Sequence, residues 1–276
     1  MQLRYICPVC GRTMDISGHS YVCPARHSFD IARKGYVNLL TTSGRNPAKA
    51  GDDPDMVKAR TAFLDSGHYE RLARTVGGMA GDHAPGGSVI DSGCGEGYYT
   101  AIYAAMQPDA FFHGIDISKT AVNHCMTRIH AAGLNNAAFA AASSYALPFE
   151  SSSADMVIST FAPVVNDEYA RVLKKDGVLV VVSPSPRHLF ELKAAVYDEP
   201  YENKANSYGL DSFAEEDRRI LEYQTTLVSA QQIHDLFLMT PYFYKTSAEG
   251  MERLSRLDSL DVTCGFVIQV FRKKGE

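Results

Sequence analysis

The chain lacks any apolar run near the ~18 residues that a membrane-spanning helix requires, so we expect no integral membrane protein. Its first residues contain no long apolar core, so we expect no secretion signal and a cytoplasmic location. Sequence repeats and low-complexity tracts are absent as well. The composition is that of an ordinary globular protein, 45% hydrophobic and 21% charged over 276 residues, with room for one domain of about 200 residues and a small module.

Cysteine is also scarce, with six residues in the chain, but three of the six lie within the first 23 positions. Clustered cysteines in an intracellular protein more often bind metal than form disulfides. Cys7 and Cys10 are separated by two residues, and further on Cys23 and His27 are separated by three. This spacing predicts a closed tetrahedral Zn²⁺ site, which is structural because no position stays open for water. His19 is the alternative fourth ligand.

The net charge of −5 hides an uneven distribution. Residues 1–49 carry seven Lys and Arg against two Asp, whereas the rest of the chain carries 20 basic and 30 acidic residues. A basic surplus on a small zinc module favours contact with nucleic acid, and plain solvated surface is the alternative. The candidate RNA-binding residues are four cations of this segment, Arg12, Arg26, Arg33 and Lys34.

Strand and helix signals alternate from residue 88 onward, a pattern that predicts a doubly wound, Rossmann-like α/β sheet. Ahead of them, the apolar spacing predicts helix from Asp55 to about Met79. The fully apolar segment 178–183 is expected in the middle of a parallel sheet, and Ser118 is the expected N-cap of a helix. Residues 197–230 are polar and give no clear signal.

A glycine-rich loop, Asp91-Ser-Gly-Cys-Gly-Glu-Gly97, lies between the first of these strands and the next helix. Its third glycine comes one residue earlier than in dinucleotide-binding loops, and an acid opens it. An acid at this position suits a cationic ligand, such as the ammonium and sulfonium of S-adenosylmethionine (SAM), better than it suits a negatively charged diphosphate. The loop therefore predicts SAM as the ligand. The alternative is that the glycines serve only to form a tight turn. The predicted contacts are Asp91, Gly93, Gly95 and Gly97 in the loop, Asp116 at the ribose, and Ser143 at the adenine.

Several segments together carry a resemblance to a known family: CPVC with CPARHSFDIARKGYVNLL, GDDPDMVKARTAFLDSGHYERL, DSGCGEGYYT, AASSYALPF and SPSPRHLFELK. Over about residues 5–245, the chain resembles the RlmA (RrmA) family of 23S ribosomal RNA guanine-N1 methyltransferases. The resemblance implies zinc ligands at the four Cys and His positions above. It also implies cofactor contacts at Tyr69, Gly95, Glu96 and His188. Ser92 departs from the apolar residue usual in the family.

The resemblance implies an enzyme that methylates N1 of a guanine in a hairpin loop of 23S rRNA. A small-molecule SAM methyltransferase with a structural zinc finger and a non-catalytic RNA-binding relative are the alternatives. N1 lies on the Watson–Crick edge, so the base must be unpaired or flipped out, and Phe161 or Tyr69 could stack on it. The catalytic base is unknown; His188 is the candidate, because the ordinary pKa of histidine lies near neutrality.

The same observations predict the domain organisation. We expect a zinc-binding RNA-recognition module at residues 1–35, an exposed linker at 36–54, and a SAM-dependent methyltransferase domain at 55–276. A homodimer is a further expectation from the family.

Overall fold

The computed structural model describes residues 2–41 and 54–275. Within them, a small antiparallel sheet comes first and a large mixed sheet follows. The small sheet contains β1 (Asp15–Ser17), β2 (Ser20–Val22) and β3 (Ser28–Asp30) in that order. The described strands of the large sheet are β4 (Val37–Asn38), β5 (Ser88–Ser92), β6 (Phe111–Asp116), β7 (Ala137–Ala141), β8 (Ala154–Thr160), β9 (Leu173–Pro184), β10 (Phe213–Leu227) and β11 (Leu260–Lys273).

The large sheet has the order β10-β11-β9-β8-β5-β6-β7-β4. Neighbours from β9 to β4 run parallel, whereas β11 is antiparallel to both β9 and β10. The central strand β5 is buried along its whole length, as expected for a parallel strand covered on both faces. The predicted Rossmann-like α/β class is therefore confirmed, with an antiparallel pair of strands, β10 and β11, added at one edge.

Eight α-helices occur in the described residues: α1 (Pro54–Asp65), α2 (Glu70–His83), α3 (Tyr98–Met106), α4 (Lys119–Ala131), α5 (Asn166–Val172), α6 (Phe190–Val196), α7 (Ala230–Leu238) and α8 (Ala248–Ser255). Ser118 caps α4 as predicted, since its hydroxyl accepts a hydrogen bond from the Ala121 amide at 3.3 Å. None of the helices in the described ranges is long and apolar enough to cross a bilayer.

Two sequence expectations need correction. The single helix expected over residues 55–79 is two helices, because Gly67 adopts a positive φ of 82° between them, which ends α1. The polar segment at 197–230 contains the 15-residue strand β10. Most of its side chains are exposed because β10 is an edge strand, and charged residues fill positions 215–219, so apolar alternation is confined to residues 221–227.

The predicted exposed linker also begins too early. Val37–Asn38 forms a strand parallel to β7, and Val37 and Leu39 are buried at 1% and 3% exposure. Backbone pairing and apolar burial therefore fix the chain to the large sheet beyond residue 35. The rest of the linker, at residues 42–53, lies outside the described residues.

The N-terminal segment is packed against the large sheet. The Ile6 amide donates to the Pro148 carbonyl at 2.9 Å, and the rings of Tyr5 and Phe149 stack with centroids 5.5 Å apart. The Leu3 amide donates to Nε2 of His113 at 2.9 Å, and burial lowers the pKa of that histidine to about 3. His113 is thus neutral, as an acceptor must be. The zinc-binding segment and the α/β domain therefore share one core.

Candidate functional site

The principal cavity lies at the carboxyl ends of the parallel strands, where α/β sheets bind ligands. Its volume is about 910 Å³, within the range of roughly 300–1,000 Å³ found for ligand sites. Of the nine predicted cofactor residues, seven line it, namely Tyr69, Gly93, Gly95, Glu96, Asp116, Ser143 and His188. Asp91 and Gly97, at the two ends of the glycine loop, do not line it, because both are buried.

Backbone geometry explains the glycines of this loop. Gly93 has a φ of 81°, and a Cβ there would lie 2.3 Å from the Cβ of Ala162. Gly97 has a φ of 84°, and a Cβ there would lie 3.0 Å from the sulfur of Cys125. A side chain at either position would be strained and would collide with its neighbour. The loop thus needs glycine at both positions, and at Gly93 it brings bare backbone against the cavity, as the approach of a ligand requires.

Asp116 holds the glycine loop in place. Its Oδ2 accepts a hydrogen bond from the Gly95 amide at 3.0 Å, and its Oδ1 accepts one from the Ser118 amide at 2.8 Å. The carboxylate therefore joins the end of β6 to the loop after β5. This is the position predicted for the acid that binds a ribose diol, and Asp116 lines the cavity there.

Asp91 lies under the loop and is buried at 1% exposure. Burial raises the pKa of this carboxyl to about 7, and the negative charge of Asp116 adds to the effect. The Thr100 hydroxyl lowers the pKa of Asp91 by donating a hydrogen bond to its Oδ2 at 2.5 Å. A carboxylate with a raised pKa in the cofactor loop gains most from a nearby cation, and SAM carries two cationic groups.

Glu96 is also buried, at 2% exposure, but it has a cationic partner. Nε and Nη2 of Arg128 donate to its Oε2 at 3.0 and 2.6 Å. Burial raises the pKa of Glu96, and the Arg128 charge counteracts this. Nη1 of Arg128 also donates to Asp65 at 2.6 Å. Arg128 therefore fastens the end of α1 to the glycine loop, an arrangement that sequence spacing could not reveal.

Tyr69 and His188 meet on one cavity wall, with the Tyr69 hydroxyl 3.3 Å from Nε2 of the histidine. The Gly265 amide donates to Nδ1 of His188 at 3.3 Å. Burial lowers the pKa of His188 to about 3, and the positive charge of Lys193 adds to this. The ring is therefore neutral, and with Nδ1 accepting, its proton resides on Nε2 and is donated to the Tyr69 oxygen.

Some cavity residues carry no signal in the sequence. Asn203, from the polar segment after α6, donates from Nδ2 to the carbonyls of Ser185 and His188 at 3.0 and 3.1 Å. Its Oδ1 accepts from Nζ of Lys193 at 2.6 Å. Asn203 thereby holds the loop that carries His188. An isolated asparagine in a polar stretch has no pattern that would have indicated this.

Phe161 follows β8 at the cavity mouth. It adopts a φ of 55°, which is strained for a bulky residue. Its ring lies parallel to that of His188 with centroids 6.2 Å apart, and 44% of the residue is exposed. Backbone strain at an exposed aromatic residue is typical of functional sites.

The predicted zinc ligands converge at a second site. The ligand atoms of Cys7, Cys10, Cys23 and His27 all lie within 4.8 Å of one another. The Cys10 and Cys23 sulfurs are 3.7 Å apart, and Nδ1 of His27 is 3.4 Å from the sulfurs of Cys7 and Cys23. Tetrahedral Zn²⁺ with ~2.3 Å Zn–S bonds requires sulfurs about 3.8 Å apart, so the donor set fits. His19 is not part of this cluster.

The zinc cluster contributes no residue to the cavity lining, as a structural metal requires. All four candidate RNA-binding cations, Arg12, Arg26, Arg33 and Lys34, are exposed. Nζ of Lys34 donates to the Thr127 hydroxyl of α4 at 2.9 Å. Lys34 therefore ties the N-terminal segment to the α/β domain.

Together, the glycine loop, the acid at the end of β6 and the Cys/His cluster define a SAM-dependent methyltransferase with an N-terminal zinc ribbon. Two family models match this organisation, one described as a methyltransferase domain over residues 83–234 and one as RlmA, N-terminal, over residues 5–45. The chain belongs to the RlmA family of methyltransferases.

Individual relatives agree with this. The chain is 41% identical over 201 residues to the 23S rRNA (guanine(748)-N(1))-methyltransferase of Streptomyces fradiae, covering 70% of this chain and 68% of the relative. It is 31% identical over 272 residues to YxjB of Bacillus subtilis, covering 93% of each. The solved structure of YcgJ from Bacillus subtilis matches with a TM-score of 0.53 and 16% identity, over 75% of this chain and 100% of that chain, and supports the fold alone.

Proposed function

We propose that this enzyme transfers the methyl group of SAM to N1 of a guanine in a hairpin loop of 23S rRNA. The name of the relative from Streptomyces fradiae gives N1 methylation of a guanine in 23S rRNA as the activity of that protein. The observation on this chain that supports the proposal is a set of exposed aromatic side chains at the rim of the cavity. Four aromatic residues of the described chain are largely exposed, and Tyr145, Phe161 and Tyr244 among them line the cavity.

An aromatic rim suits a nucleobase substrate. Unpaired bases bind proteins by stacking on exposed rings, and Tyr145 and Tyr244 are 68% and 65% exposed. A small polar substrate would gain little from rings that lie in solvent, so the rim disfavours the small-molecule alternative. Phe161 is the proposed platform for the target guanine, because its ring lies at the mouth beside His188.

SAM, when bound, would supply an electrophilic methyl group on its sulfonium, and transfer of that methyl to guanine N1 releases S-adenosylhomocysteine and the proton of N1. The task of the protein is to hold guanine N1 in line with that methyl, and orientation of this kind can supply roughly 7–11 kcal/mol. We propose that Tyr69 and His188 act in this positioning. Both ring nitrogens of His188 are engaged, one by the Gly265 amide and one by Tyr69, which favours a hydrogen-bond donor over a general base.

The zinc ribbon completes the proposal as an RNA-docking module over residues 1–35, with residues 55–276 as the methyltransferase domain. Its exposed arginines, Arg12, Arg26 and Arg33, would contact phosphates. The assembly is proposed to work in the cytoplasm, where the reducing conditions keep zinc-bound thiols intact, and as a homodimer.

The test is methylation of unmodified 23S rRNA with tritiated SAM, followed by primer extension. N1 methylation blocks Watson–Crick pairing, so reverse transcriptase should stop at one guanine of a hairpin loop. A matched reaction with Gly93→Val, whose side chain would collide with Ala162, should give no stop. Label in a small-molecule fraction, or labelled RNA without any stop at a guanine, would refute the proposal.

A further inference from the structure

We propose that the outer face of α4 binds the phosphates of the RNA strand that enters the cavity, an inference that rests on the proposed RNA substrate. Helix α4 contains no acidic residue, although the whole chain has a net charge of −5. Its residues Lys119, Asn123 and Thr127 follow one another at intervals of four, so their side chains lie in one row along the helix. Lys119 and Thr127 are exposed and Asn123 is partly exposed, so this α4 row faces solvent.

A positive charge lies at each end of the α4 row. Lys119 is the first residue of the helix, and Nζ of Lys34 donates to the Thr127 hydroxyl at 2.9 Å. The backbone beside Lys34 lies close to the helix, since a Cβ on Gly35 would be 3.0 Å from Cε of Met126. The row from Lys119 to Thr127 is about 12 Å long. An RNA backbone laid along it would meet a cation at both ends and polar side chains between, which are the groups that contact phosphates in proteins.

Neither of these two cations is neutralised by a carboxylate. Lys34 bonds a neutral hydroxyl, and Lys119 forms no ion pair with any residue that the structure describes. Arg128, on another face of the same helix, binds both Asp65 and Glu96 at 2.6 Å. These two acids therefore have their own cation, and the charges of the α4 row stay available to an anion in solvent.

The α4 row connects the two regions that are proposed to contact RNA. Ile117, two residues before Lys119, is 37% exposed and lines the cavity, as does the exposed ring of Tyr145. At the other end of the row, Lys34 belongs to the N-terminal zinc ribbon and follows the exposed Arg33. A strand whose base enters the cavity would thus pass over α4 on its way to the ribbon. This continuity favours RNA as the occupant over an acidic protein.

The salt dependence of binding provides the test, with a labelled hairpin from 23S rRNA and the full-length zinc-bound protein. Lys119→Gln and Lys34→Gln should each reduce the magnitude of the slope of log K against log salt by about 1, because each removes one phosphate contact. Each should weaken binding about 3- to 10-fold, and the double variant should reduce the slope by about 2. Lys119→Arg, which keeps the charge, should bind within about 2-fold of wild type. The Kd for SAM should not change in any of them.

Lys175→Gln is the matched control. Lys175 is exposed, forms no ion pair with a described residue, and lies near the amino end of β9, whereas the carboxyl end of β9 lines the cavity. Its RNA affinity and salt slope should equal those of wild type.

Slopes that Lys119→Gln and Lys34→Gln leave unchanged, or change no more than the control does, would overturn the inference. So would a loss of SAM affinity as large as the loss of RNA affinity, because that would identify a disturbed cofactor loop. The proposed function fails separately. If wild type methylates no guanine but binds the hairpin through these two lysines, the substrate assignment is wrong and the surface stands. Methylation at one guanine with unchanged slopes would give the opposite result.

Discussion

The hydroxyl of Tyr69 and Nε2 of His188 lie 3.3 Å apart although 119 residues separate them in the chain. Tyr69 precedes α2, and His188 lies in the loop after β9. The contact joins the residue before α2 to the loop after β9. Nε2 of the neutral histidine donates the hydrogen bond to the Tyr69 oxygen. The Tyr69 hydroxyl proton is then available to an acceptor on a bound ligand.

Replacing His188 should impair positioning without changing the pH dependence of the reaction. Burial holds the pKa of His188 at about 3, so it stays neutral wherever the enzyme is assayed. We expect His188→Ala to lower kcat/KM by about 10- to 100-fold, and His188→Gln, which keeps a donor near Nε2, to lower it less. The pH–rate profile between about pH 6 and 9 should keep its shape in both variants. Loss of an acidic limb near pH 6.5 in His188→Gln would instead identify a general base.

Removing the Tyr69 hydroxyl should weaken cofactor binding modestly. The ring of Tyr69 packs edge-on against Phe63 and Phe266, with centroids 5.1 Å away in each case, so Tyr69→Phe keeps the packing. One neutral hydrogen bond is lost, which corresponds to about a 2- to 10-fold rise in the Kd for SAM. Calorimetric titration measures this directly. A Kd equal to that of wild type would show that the hydroxyl serves only His188.

Sequence reasoning located the parts of this site that depend on local chain chemistry. The glycine loop and the acid at the end of β6 follow from residues near each other in sequence. Contacts between distant residues were not predictable: Arg128 reaches Glu96 and Asp65, which are 32 and 63 positions away. The edge strand β10 was missed for a different reason, since charged residues fill its first half and the apolar alternation on which a strand prediction depends covers only residues 221–227.

Asp91 should make the protein less stable as the pH rises. Its carboxyl has a pKa of about 7 when folded, against an ordinary 3.8, so between these values the folded state binds the extra proton. The free energy of unfolding therefore falls from about pH 4 to pH 7 and then levels off. Asp91→Asn, which removes the charge, should stabilise the SAM-free protein by roughly 4 kcal/mol at pH 8 and leave it unchanged at pH 4.

Urea denaturation of wild type and Asp91→Asn across this pH range provides the measurement. A stability difference that does not depend on pH would contradict the expectation. The same variant should bind SAM more weakly, because it removes a buried negative charge from the start of the loop that is proposed to bind the cationic ligand.

Zinc removal should destabilise the methyltransferase domain as well as the ribbon. Cys7 and Cys23 belong to the same buried cluster as Ile90 of β5 and Leu179 of β9, so loss of the metal disturbs the main core. We expect a chelator or Cys7→Ser to lower the Tm by about 10 °C or more, in a single transition. Two separate transitions, with the later one unchanged from the zinc-bound protein, would show that the ribbon folds independently.

The salt dependence of RNA affinity should distinguish base stacking on the cavity rim from phosphate contacts on the zinc ribbon. Tyr145→Ala and Tyr244→Ala remove exposed rings from the cavity rim, and each is expected to weaken binding of a hairpin RNA by about 5- to 100-fold without altering the slope of log K against log salt. Replacing Arg12, Arg26 and Arg33 together by Ala should instead lower that slope by about 2, since each phosphate contact releases counterions.

Val228→Ala is the control for the rim variants, because Val228 is 68% exposed and does not line the cavity. Its RNA affinity should equal that of wild type. Filter binding of a labelled hairpin over a range of salt concentrations measures all of these variants. A slope unchanged by the triple arginine substitution would place the RNA phosphates on another surface. Rim variants that bind like Val228→Ala would show that the bases do not stack there.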